Sequence, residues 1–280
     1  MVLPKIAVSQ MSSLPGDLDH NIRAVCKAIN DTAHAEACVV IFPECALTGY
    51  MFETRDETER AAVSLDDPRL LPLQQAVTDT GCHAVIGLLE RDGDSVFNSA
   101  AVLAPSGQAG LYRKQHLPQM GADRFVTPGD GGRPRVFDIG PLKIGVMICF
   151  DLRFPECARE LALDGADVIA MPTNWPLTAS MLANDMLRVR AIENFVYMAV
   201  ADRADAEFGK RFYGGSRIVS PKGEVLASST LADALVVAEV DVEQARVKEL
   251  FFADMGYGIS IFDSRRPELY GRLVDNIEKR

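Results

Sequence analysis

The sequence lacks several features that would point to common classes of protein. It has no uninterrupted apolar run of about 18 residues, the length that a membrane-spanning helix requires. Its formal net charge is −10, which argues against nucleic-acid binding because a nucleic-acid-binding surface must be basic. No internal repeat or low-complexity linker interrupts the 280 residues. We therefore predict a globular protein with neither a nucleic-acid partner nor a membrane partner.

Metal-binding and disulfide patterns are also missing. The six cysteines form no C-x-x-C pair, and the four histidines are scattered along the chain. We predict neither a bound metal nor a cofactor. The first ten residues have the pattern of a strand rather than of a signal peptide, so we expect a cytoplasmic protein with free thiols. Most of these cysteines are expected to be small buried apolar residues.

Strand-like and helix-like segments alternate along the chain. The continuous apolar run at 39–42 is typical of a strand that is buried on both faces, and residues 143–148 are predicted to form another buried strand. Residues 17–37 and 178–194 have apolar side chains at helical spacing, which predicts two helices. This alternation favours an α/β fold.

Two turn signals refine the predicted architecture. The turns at 105–107 and 221–223 each join two strand-like segments, which predicts hairpins and argues against a purely parallel sheet. We predict a single α/β domain over residues 1–280, with helices outside and sheets inside. Within it, residues 242–280 are charged and irregular, and we expect them to form an extension used in packing or assembly.

Three of the predicted strands end next to an ionisable residue. These residues are Glu44, Lys114 and Cys149, and catalytic groups of α/β proteins gather where strands end. Each has an ordinary interpretation when taken alone. Cys149 is equally typical of a buried structural cysteine, Glu44 of a helix cap or solvated strand end, and Lys114 of a solvated lysine. Together they supply the nucleophile, the proton carrier and the cation that attack on an amide requires.

The segments around these residues resemble the three signature segments of the nitrilase (carbon–nitrogen hydrolase) superfamily, in the family's order and at similar spacing. The three segments are Phe42-Pro43-Glu44, Tyr112-Arg113-Lys114-Gln115-His116-Leu117 and Ile148-Cys149-Phe150-Asp151-Leu152-Arg153-Phe154-Pro155-Glu156. Further similar segments are Pro128-Gly129-Asp130, Pro172-Thr173-Asn174-Trp175, Arg190-Ala191-Ile192-Glu193-Asn194 and Gly215-Ser216-Arg217-Ile218-Val219. The resemblance extends from the first strand to about residue 240.

The resemblance implies a four-layer α-β-β-α sandwich that pairs through its helices into a homodimer or larger homo-oligomer. It also implies a catalytic triad of Glu44, Lys114 and Cys149. Glu44 would activate the Cys149 thiol for attack on the substrate carbon. Lys114 and the Phe150 N–H would stabilise the oxyanion, and a water activated by Glu44 would hydrolyse the resulting thioester.

The substrate-binding residues are less sharply indicated. Many family members carry a second glutamate before the Pro-Gly pair at 128–129, but here the nearest carboxylate is Asp123. Asp123 is either a fourth site residue or a turn residue, since aspartate favours turns. Trp175 either lines the pocket or packs in the core. The expected substrate-binding residues are Tyr50, Asp123, Phe150, Asn174 and Trp175.

The residues that follow the cysteine bear on the substrate. Strict nitrilases typically have Trp-Glu there, whereas this chain has Phe150-Asp151, which is more similar to the amidase branches. We therefore predict hydrolysis of a small carboxamide to a carboxylic acid and ammonia. Nitrile hydrolysis, N-carbamoyl amide hydrolysis and a non-catalytic binding role remain alternatives.

Overall fold

The computed structural model describes residues 3–130 and 136–275. The strands are β1 (Lys5–Gln10), β2 (Ala37–Ile41), β3 (His83–Asp92), β4 (Ser95–Ala104), β5 (Gly107–Arg113), β6 (Val136–Asp138), β7 (Lys143–Val146), β8 (Val168–Pro172), β9 (Tyr197–Ala201), β10 (Ala206–Glu207), β11 (Lys210–Arg211), β12 (Arg217–Val219), β13 (Val225–Ser228), β14 (Ala234–Glu239), β15 (Glu249–Phe252) and β16 (Tyr257–Ser260). The α-helices are α1 (Leu18–His34), α2 (Arg55–Ala61), α3 (Leu71–Thr80), α4 (Pro155–Leu163), α5 (Leu187–Asn194) and α6 (Val242–Arg246).

Most of the strands belong to two six-stranded sheets. The first sheet has the order β14-β1-β2-β3-β4-β5, and the second has the order β13-β12-β9-β8-β7-β6. Parallel strands form the middle of each sheet, β1-β2-β3 in one and β7-β8-β9 in the other. Antiparallel strands flank them on both sides. The predicted hairpins are present as β4–β5 and β12–β13.

The two sheets pack face to face with helices on their outer faces. Alternate side chains of β1 show this arrangement: Ile6 and Val8 point into the core shared by the two sheets, whereas Ala7 packs in the cluster beneath α1 and α3. Leu161 of α4 and Leu187 of α5 pack on the second sheet. The layers are therefore helix, sheet, sheet and helix, which confirms the predicted α-β-β-α sandwich.

The predicted helix over residues 178–194 is only partly present. Its last eight residues form α5, but a 3₁₀ turn at Leu177–Ala179 and a π-helical turn at Leu182–Met186 precede them. Arg217 explains the irregularity, because its guanidinium donates to the carbonyl of Ala183 at 3.0 Å and to the side chain of Asn184 at 3.0 Å. These bonds compete with regular helical hydrogen bonding in that turn.

The C-terminal segment carries the antiparallel hairpin β15–β16, which the sequence did not predict. Residues 276–280 of the expected extension lie outside the described residues. Among the helices that the structure describes, every one is too short or too polar to cross a bilayer.

Candidate active site

The three candidate catalytic residues meet at one edge of the sandwich. Glu44 follows β2, Lys114 follows β5 and Cys149 follows β7. Strands β2 and β5 run in the same direction, because β3 is parallel to β2 and β4 is antiparallel to both β3 and β5. Two sheets thus contribute to the same site, with Glu44 and Lys114 from the first and Cys149 from the second.

Lys114 lies between two buried carboxylates. Its Nζ atom is 2.6 Å from Oε1 of Glu44 and 2.7 Å from Oδ2 of Asp123. All three side chains are removed from solvent. The predicted fourth residue, Asp123, therefore contacts the predicted triad, on a short 3₁₀ turn at Gly121–Arg124.

A second link between the carboxylates comes from Asn98, which sequence reasoning missed. Its Nδ2 atom donates to Glu44 Oε1 at 2.7 Å and to Asp123 Oδ1 at 2.8 Å. Asn98 lies inside strand β4, away from the strand ends. The available signal was a side-chain amide in a strand whose other residues are apolar or serine.

Tyr50 supports the same cluster from behind. Its hydroxyl donates to Asp123 Oδ2 at 2.8 Å, and its ring lies 5.8 Å from the Lys114 ammonium. The backbone N–H of Tyr50 donates to the buried carboxylate of Glu207 at 3.0 Å, and Glu207 in turn pairs with Arg203. Tyr50 was expected to bind substrate, and the structure places its hydroxyl on Asp123.

Burial and charge shift the proton affinities of this cluster. Burial raises the pKa of Glu44, and Lys114 offsets only part of that effect. Burial alone would lower the pKa of Lys114, but Asp123 and Glu44 together outweigh it, so the pKa lies well above its usual value. Lys114 is therefore an ammonium at neutral pH, and Glu44 is a stronger base than an exposed carboxylate.

One of the two carboxylate oxygens of Glu44 accepts no hydrogen bond from the described residues. Whereas Oε1 accepts from Lys114 and Asn98, Oε2 is buried and makes no hydrogen bond within the described parts of the chain. A buried carboxylate oxygen without a donor is costly. An incoming proton or a substrate N–H would relieve this cost.

Cys149 occupies a strained position at the start of a 3₁₀ turn over Cys149–Arg153. Its φ angle is +45°, in the left-handed region that non-glycine residues rarely adopt. Its side chain is nearly buried, with 8% exposure. Burial, followed by the Glu44 carboxylate, raises the pKa of the Cys149 thiol, while Lys114 lowers it in part. The resting group is therefore a thiol that needs a base before it can attack.

Asp151 fixes the turn that carries Cys149. Its Oδ2 atom accepts from the Ile148 N–H at 3.0 Å and from the Tyr112 hydroxyl at 2.7 Å. Its Oδ1 atom accepts from the His116 N–H at 3.1 Å and lies 2.8 Å from His116 Nδ1. Asp151 thus connects the turn of Cys149 to the residues on either side of Lys114.

The same region holds one grouping of potential metal ligands among residues 3–130 and 136–275. The ligand atoms of His116, Asp151 and Cys157 lie within 4.8 Å of one another. Both oxygens of Asp151 already accept hydrogen bonds from protein groups, and the His116 ring stacks on Phe154 with centroids 3.7 Å apart. These contacts give the three residues a structural role within the fold.

The end of β8 lines the other side of the site. Asn174 donates through Nδ2 to the backbone oxygen of Glu44 at 2.8 Å, and the Trp175 N–H donates to Asp202 Oδ1 at 3.0 Å. Thr173, Asn174 and Trp175 each carry a buried side-chain atom, Oγ1, Oδ1 and Nε1 respectively, with no partner among the described residues. These three unpaired polar atoms are candidates for contacts with a bound molecule or with a neighbouring catalytic group.

The remaining expected residues are also at this edge. Trp175 is 1% exposed, so it packs inside the fold as well as lying beside the site. Phe150 is half-buried, and its ring meets that of Phe154 edge-on with centroids 5.5 Å apart. The buried carboxylate of Asp202, which accepts from the N–H groups of Trp175 and Gly215, was not predicted. Burial raises the pKa of Asp202 to about 7.

Comparison with known proteins agrees with this architecture. A sequence model of the carbon–nitrogen hydrolase family matches residues 5–248. A protein from Pyrococcus abyssi (strain GE5 / Orsay) named nitrilase is 42% identical over 270 residues, covering 96% of this chain and 99% of its own. The 2-oxoglutaramate amidase of Bacillus subtilis (strain 168) is 30% identical over 246 residues, covering 86% of this chain and 88% of its own.

A solved structure shares the fold at lower sequence identity. It is an amidase from Nesterenkonia sp., with a TM-score of 0.78 and 22% identity, and the match covers 98% of this chain and 97% of that one. The fold and the matches over nearly the whole chain lead to one conclusion. The chain belongs to the carbon–nitrogen hydrolase family.

Proposed function

We propose that this carbon–nitrogen hydrolase converts a small carboxamide into a carboxylic acid and ammonia through a thioester on Cys149. The observation that carries the proposal is the Glu44 carboxylate. One of its oxygens is held by Lys114 and Asn98, and the other is buried without a donor in the described structure. This arrangement leaves a basic oxygen for proton transfer beside a thiol and an ammonium.

The proposed mechanism uses each group in its expected protonation state. The Cys149 thiol passes its proton to Glu44 as the sulfur attacks the amide carbon. Lys114 and the Phe150 N–H stabilise the negative oxygen of the tetrahedral intermediate. Glu44 then donates the proton to the nitrogen, and ammonia leaves. A water molecule gives its proton to Glu44, attacks the thioester, and releases the acid and the thiol.

The amide is favoured over a nitrile by the polar groups at the end of β8. Because Nδ2 of Asn174 donates to the backbone of Glu44, the amide orientation leaves Oδ1 as an acceptor. We propose that Oδ1 accepts an N–H of the substrate carboxamide, which a nitrile lacks. Tyr50 holds Asp123 in this proposal, and Asp123 and Asn98 hold Lys114 and Glu44. Phe150 and Trp175 supply apolar walls.

Nitrile hydrolysis is the second candidate, because the 42% identical protein from Pyrococcus abyssi is named a nitrilase. Ammonia release from matched pairs of amides and nitriles separates the two activities. We expect each amide to be turned over faster than its nitrile, and the reverse order would overturn the amide assignment. Carbon dioxide released together with ammonia would instead indicate an N-carbamoyl substrate.

Two cysteine variants make this comparison specific. Cys149→Ala is expected to abolish ammonia release from every substrate while the thermal midpoint stays close to that of the wild type. Cys26→Ala is the matched control, since Cys26 is a half-buried thiol on α1 that takes no part in the proposed site. Equal loss of activity in both variants would contradict a special role for Cys149.

We also propose that the chain forms a homodimer or larger homo-oligomer through a surface that includes the hairpin β15–β16. Phe251 and Tyr257 of this hairpin are 71% and 69% exposed, and Met255 in its turn is 68% exposed. Exposed apolar groups this close together are typical of protein interfaces. The proposal gives residues 242–275 of the expected extension a role in assembly.

A further inference from the structure

The residue opposite Cys149 on the neighbouring strand is Thr173. Strands β7 and β8 pair in parallel with Ile144 beside Val168 and Val146 beside Ala170. The Met147 N–H continues the pattern by donating to the Ala170 oxygen at 3.2 Å. The same register, carried three residues beyond Val146 and Ala170, places Thr173 beside Cys149.

The backbone of Thr173 is held by a hydrogen bond, whereas its side-chain hydroxyl has no hydrogen-bond partner among the described residues. Its N–H donates to the Ala201 oxygen at 2.9 Å, which holds the residue as a continuation of β8 beside β9. The side chain is fully buried, and Oγ1 makes no hydrogen bond in the described part of the resting enzyme. A buried hydroxyl without a partner destabilises a fold, and valine would fill almost the same volume without that cost. The hydroxyl therefore has no structural reason to be there.

The Thr173 hydroxyl gains a strong hydrogen-bond acceptor when Cys149 ionises. A neutral thiol is a poor hydrogen-bond acceptor, whereas a thiolate accepts strongly from nearby donors. We propose that the Thr173 hydroxyl is a further catalytic group, which donates a hydrogen bond to the Cys149 sulfur as its proton moves to Glu44. The bond is made to the reacting atom and is strongest when that atom carries negative charge. Its effect is to ease proton removal and to aim the sulfur.

The electrostatics of the site agree with this role. Burial and Glu44 raise the pKa of Cys149, and the Thr173 hydroxyl and the Asn174 N–H oppose that rise because they can donate to the sulfur once it is ionised. Two consecutive residues that follow β8 thus supply donors for the sulfur, whereas Glu44 and Lys114 belong to the first sheet. Proton transfer itself is balanced, because the thiol proton goes to Glu44 and the threonine keeps its own.

The test compares Thr173→Val with Thr173→Ser. Iodoacetamide is applied between pH 6 and 10, and alkylation of the Cys149 peptide is followed by mass spectrometry, with the Cys26 peptide as an internal reference. Losing one hydrogen bond to a thiolate is expected to slow Cys149 alkylation by about ten-fold at each pH in this range. Thr173→Ser keeps the hydroxyl and should restore most of the rate.

Stability separates this role from a structural one. Because the hydroxyl is unpaired at rest, the thermal midpoint of Thr173→Val should equal or exceed that of the wild type. If Thr173→Val loses stability, Thr173→Ala provides the same comparison of alkylation against Thr173→Ser. Alkylation of the valine or alanine variant at the wild-type rate across this pH range would overturn the proposal.

The inference rests on Cys149 being the nucleophile of the proposed function, but its test needs no substrate. If iodoacetamide alkylates Cys149 of the wild type no faster than Cys26, the proposed function itself is contradicted. If Cys149 is reactive but loss of the Thr173 hydroxyl leaves its alkylation rate unchanged, only the role of Thr173 is contradicted.

Discussion

At the scale of single residues, the site depends on one ammonium held between two carboxylates. Buried charges are stable only when they are paired and hydrogen-bonded, and Lys114 provides that pairing for Glu44 and Asp123. Removing Lys114 would leave two buried carboxylates without a cation, so its replacement is expected to affect folding as well as activity. The two effects must be measured separately in any Lys114 variant.

The raised pKa of Glu44 predicts the acid limb of the pH profile. Glu44 must be ionised to accept the thiol proton, so kcat/KM should fall as the pH drops through the pKa of Glu44. Because burial raises that pKa, the fall should begin above the range of an ordinary glutamate, whose pKa is about 4.3. Full activity down to pH 4.5 in a folded enzyme would contradict the assignment of Glu44 as the base.

Asp123→Asn provides a directional check on the same limb. The negative charge of Asp123 raises the pKa of Glu44, and Asp123 also shares the Lys114 ammonium. Removing the charge should therefore lower the pKa of Glu44 and move the acid limb to lower pH. The pH dependence of kcat/KM is the measurement, and a shift to higher pH would show that the coupling has the opposite sign.

The meeting of the candidate catalytic residues at strand ends could be predicted from the sequence, but the residues that contact them could not. Glu44 and Cys149 each follow an apolar run, so their position at a sheet edge was readable. Asn98 lies within β4, and its role depends on which loops cover that strand. Thr173 belongs to one of the segments that resemble the family, but the sequence does not show that its hydroxyl is buried without a hydrogen-bond partner, because this depends on packing.

At the scale of elements, the turns that follow β7 and β2 position the candidate catalytic residues Cys149 and Glu44. Cys149 and Cys45 both have positive φ angles, +45° and +50°, so the segments after β7 and β2 are strained. Asp151 holds the first turn through Ile148. The second turn is held by close packing, because β3 lies directly beneath it.

Gly87 of β3 makes that close packing possible. A Cβ atom at this position would lie 2.3 Å from the Pro43 oxygen, 2.6 Å from the Cys45 nitrogen and 2.8 Å from the Glu44 Cα, all of them backbone atoms. Gly87→Ala should push Glu44 out of place, reducing kcat by about 100-fold, since roughly 1 Å of misplacement has that effect. It should also cost about 1–3 kcal/mol of stability.

Gly271→Ala is the matched control for this prediction. A Cβ atom at Gly271 meets nothing within 4 Å, and the residue is not among the glycines with positive φ. Rates of ammonia release and thermal midpoints of both variants should be compared with those of the wild type. Unchanged rates in Gly87→Ala would show that the Glu44 turn tolerates displacement.

Element boundaries followed the sequence where periodicity was strong. The helix predicted over residues 17–37 is present as α1, and Asp17 caps its start by accepting from the His20 N–H at 3.0 Å. The helix predicted for 178–194 failed because Arg217, distant in sequence, binds the carbonyl of Ala183. No local pattern carries that information.

At the scale of the whole molecule, the sandwich brings together side chains that are distant in sequence. Apolar segments predicted the buried strands, and the turns between strand-like segments predicted a mixed sheet. The pairing of two six-stranded sheets came from the resemblance, because side-chain periodicity does not specify which strands are neighbours. That pairing is what places Cys149 opposite Glu44 and Lys114.

Assembly is the prediction that belongs to this scale. Light scattering after gel filtration should give at least twice the chain mass of 30.5 kDa. Phe251→Asp places a charge on the exposed face of β15 and should shift the mass towards that of a single chain. Phe208→Asp is the control, because Phe208 is comparably exposed, at 64%, in the turn between β10 and β11. A monomeric wild type would contradict the proposed assembly.

The most direct test of the account is detection of the acyl group on Cys149 during turnover. The wild-type enzyme is mixed with a small carboxamide and quenched in acid within milliseconds, and its peptides are mapped by mass spectrometry. We expect the Cys149 peptide to gain the mass of the acyl group less one hydrogen, with ammonia released in the same turnover. Cys149→Ala should show neither the added mass nor ammonia release. Wild-type ammonia release by Cys149→Ala, or an acyl group on any other residue, would contradict it.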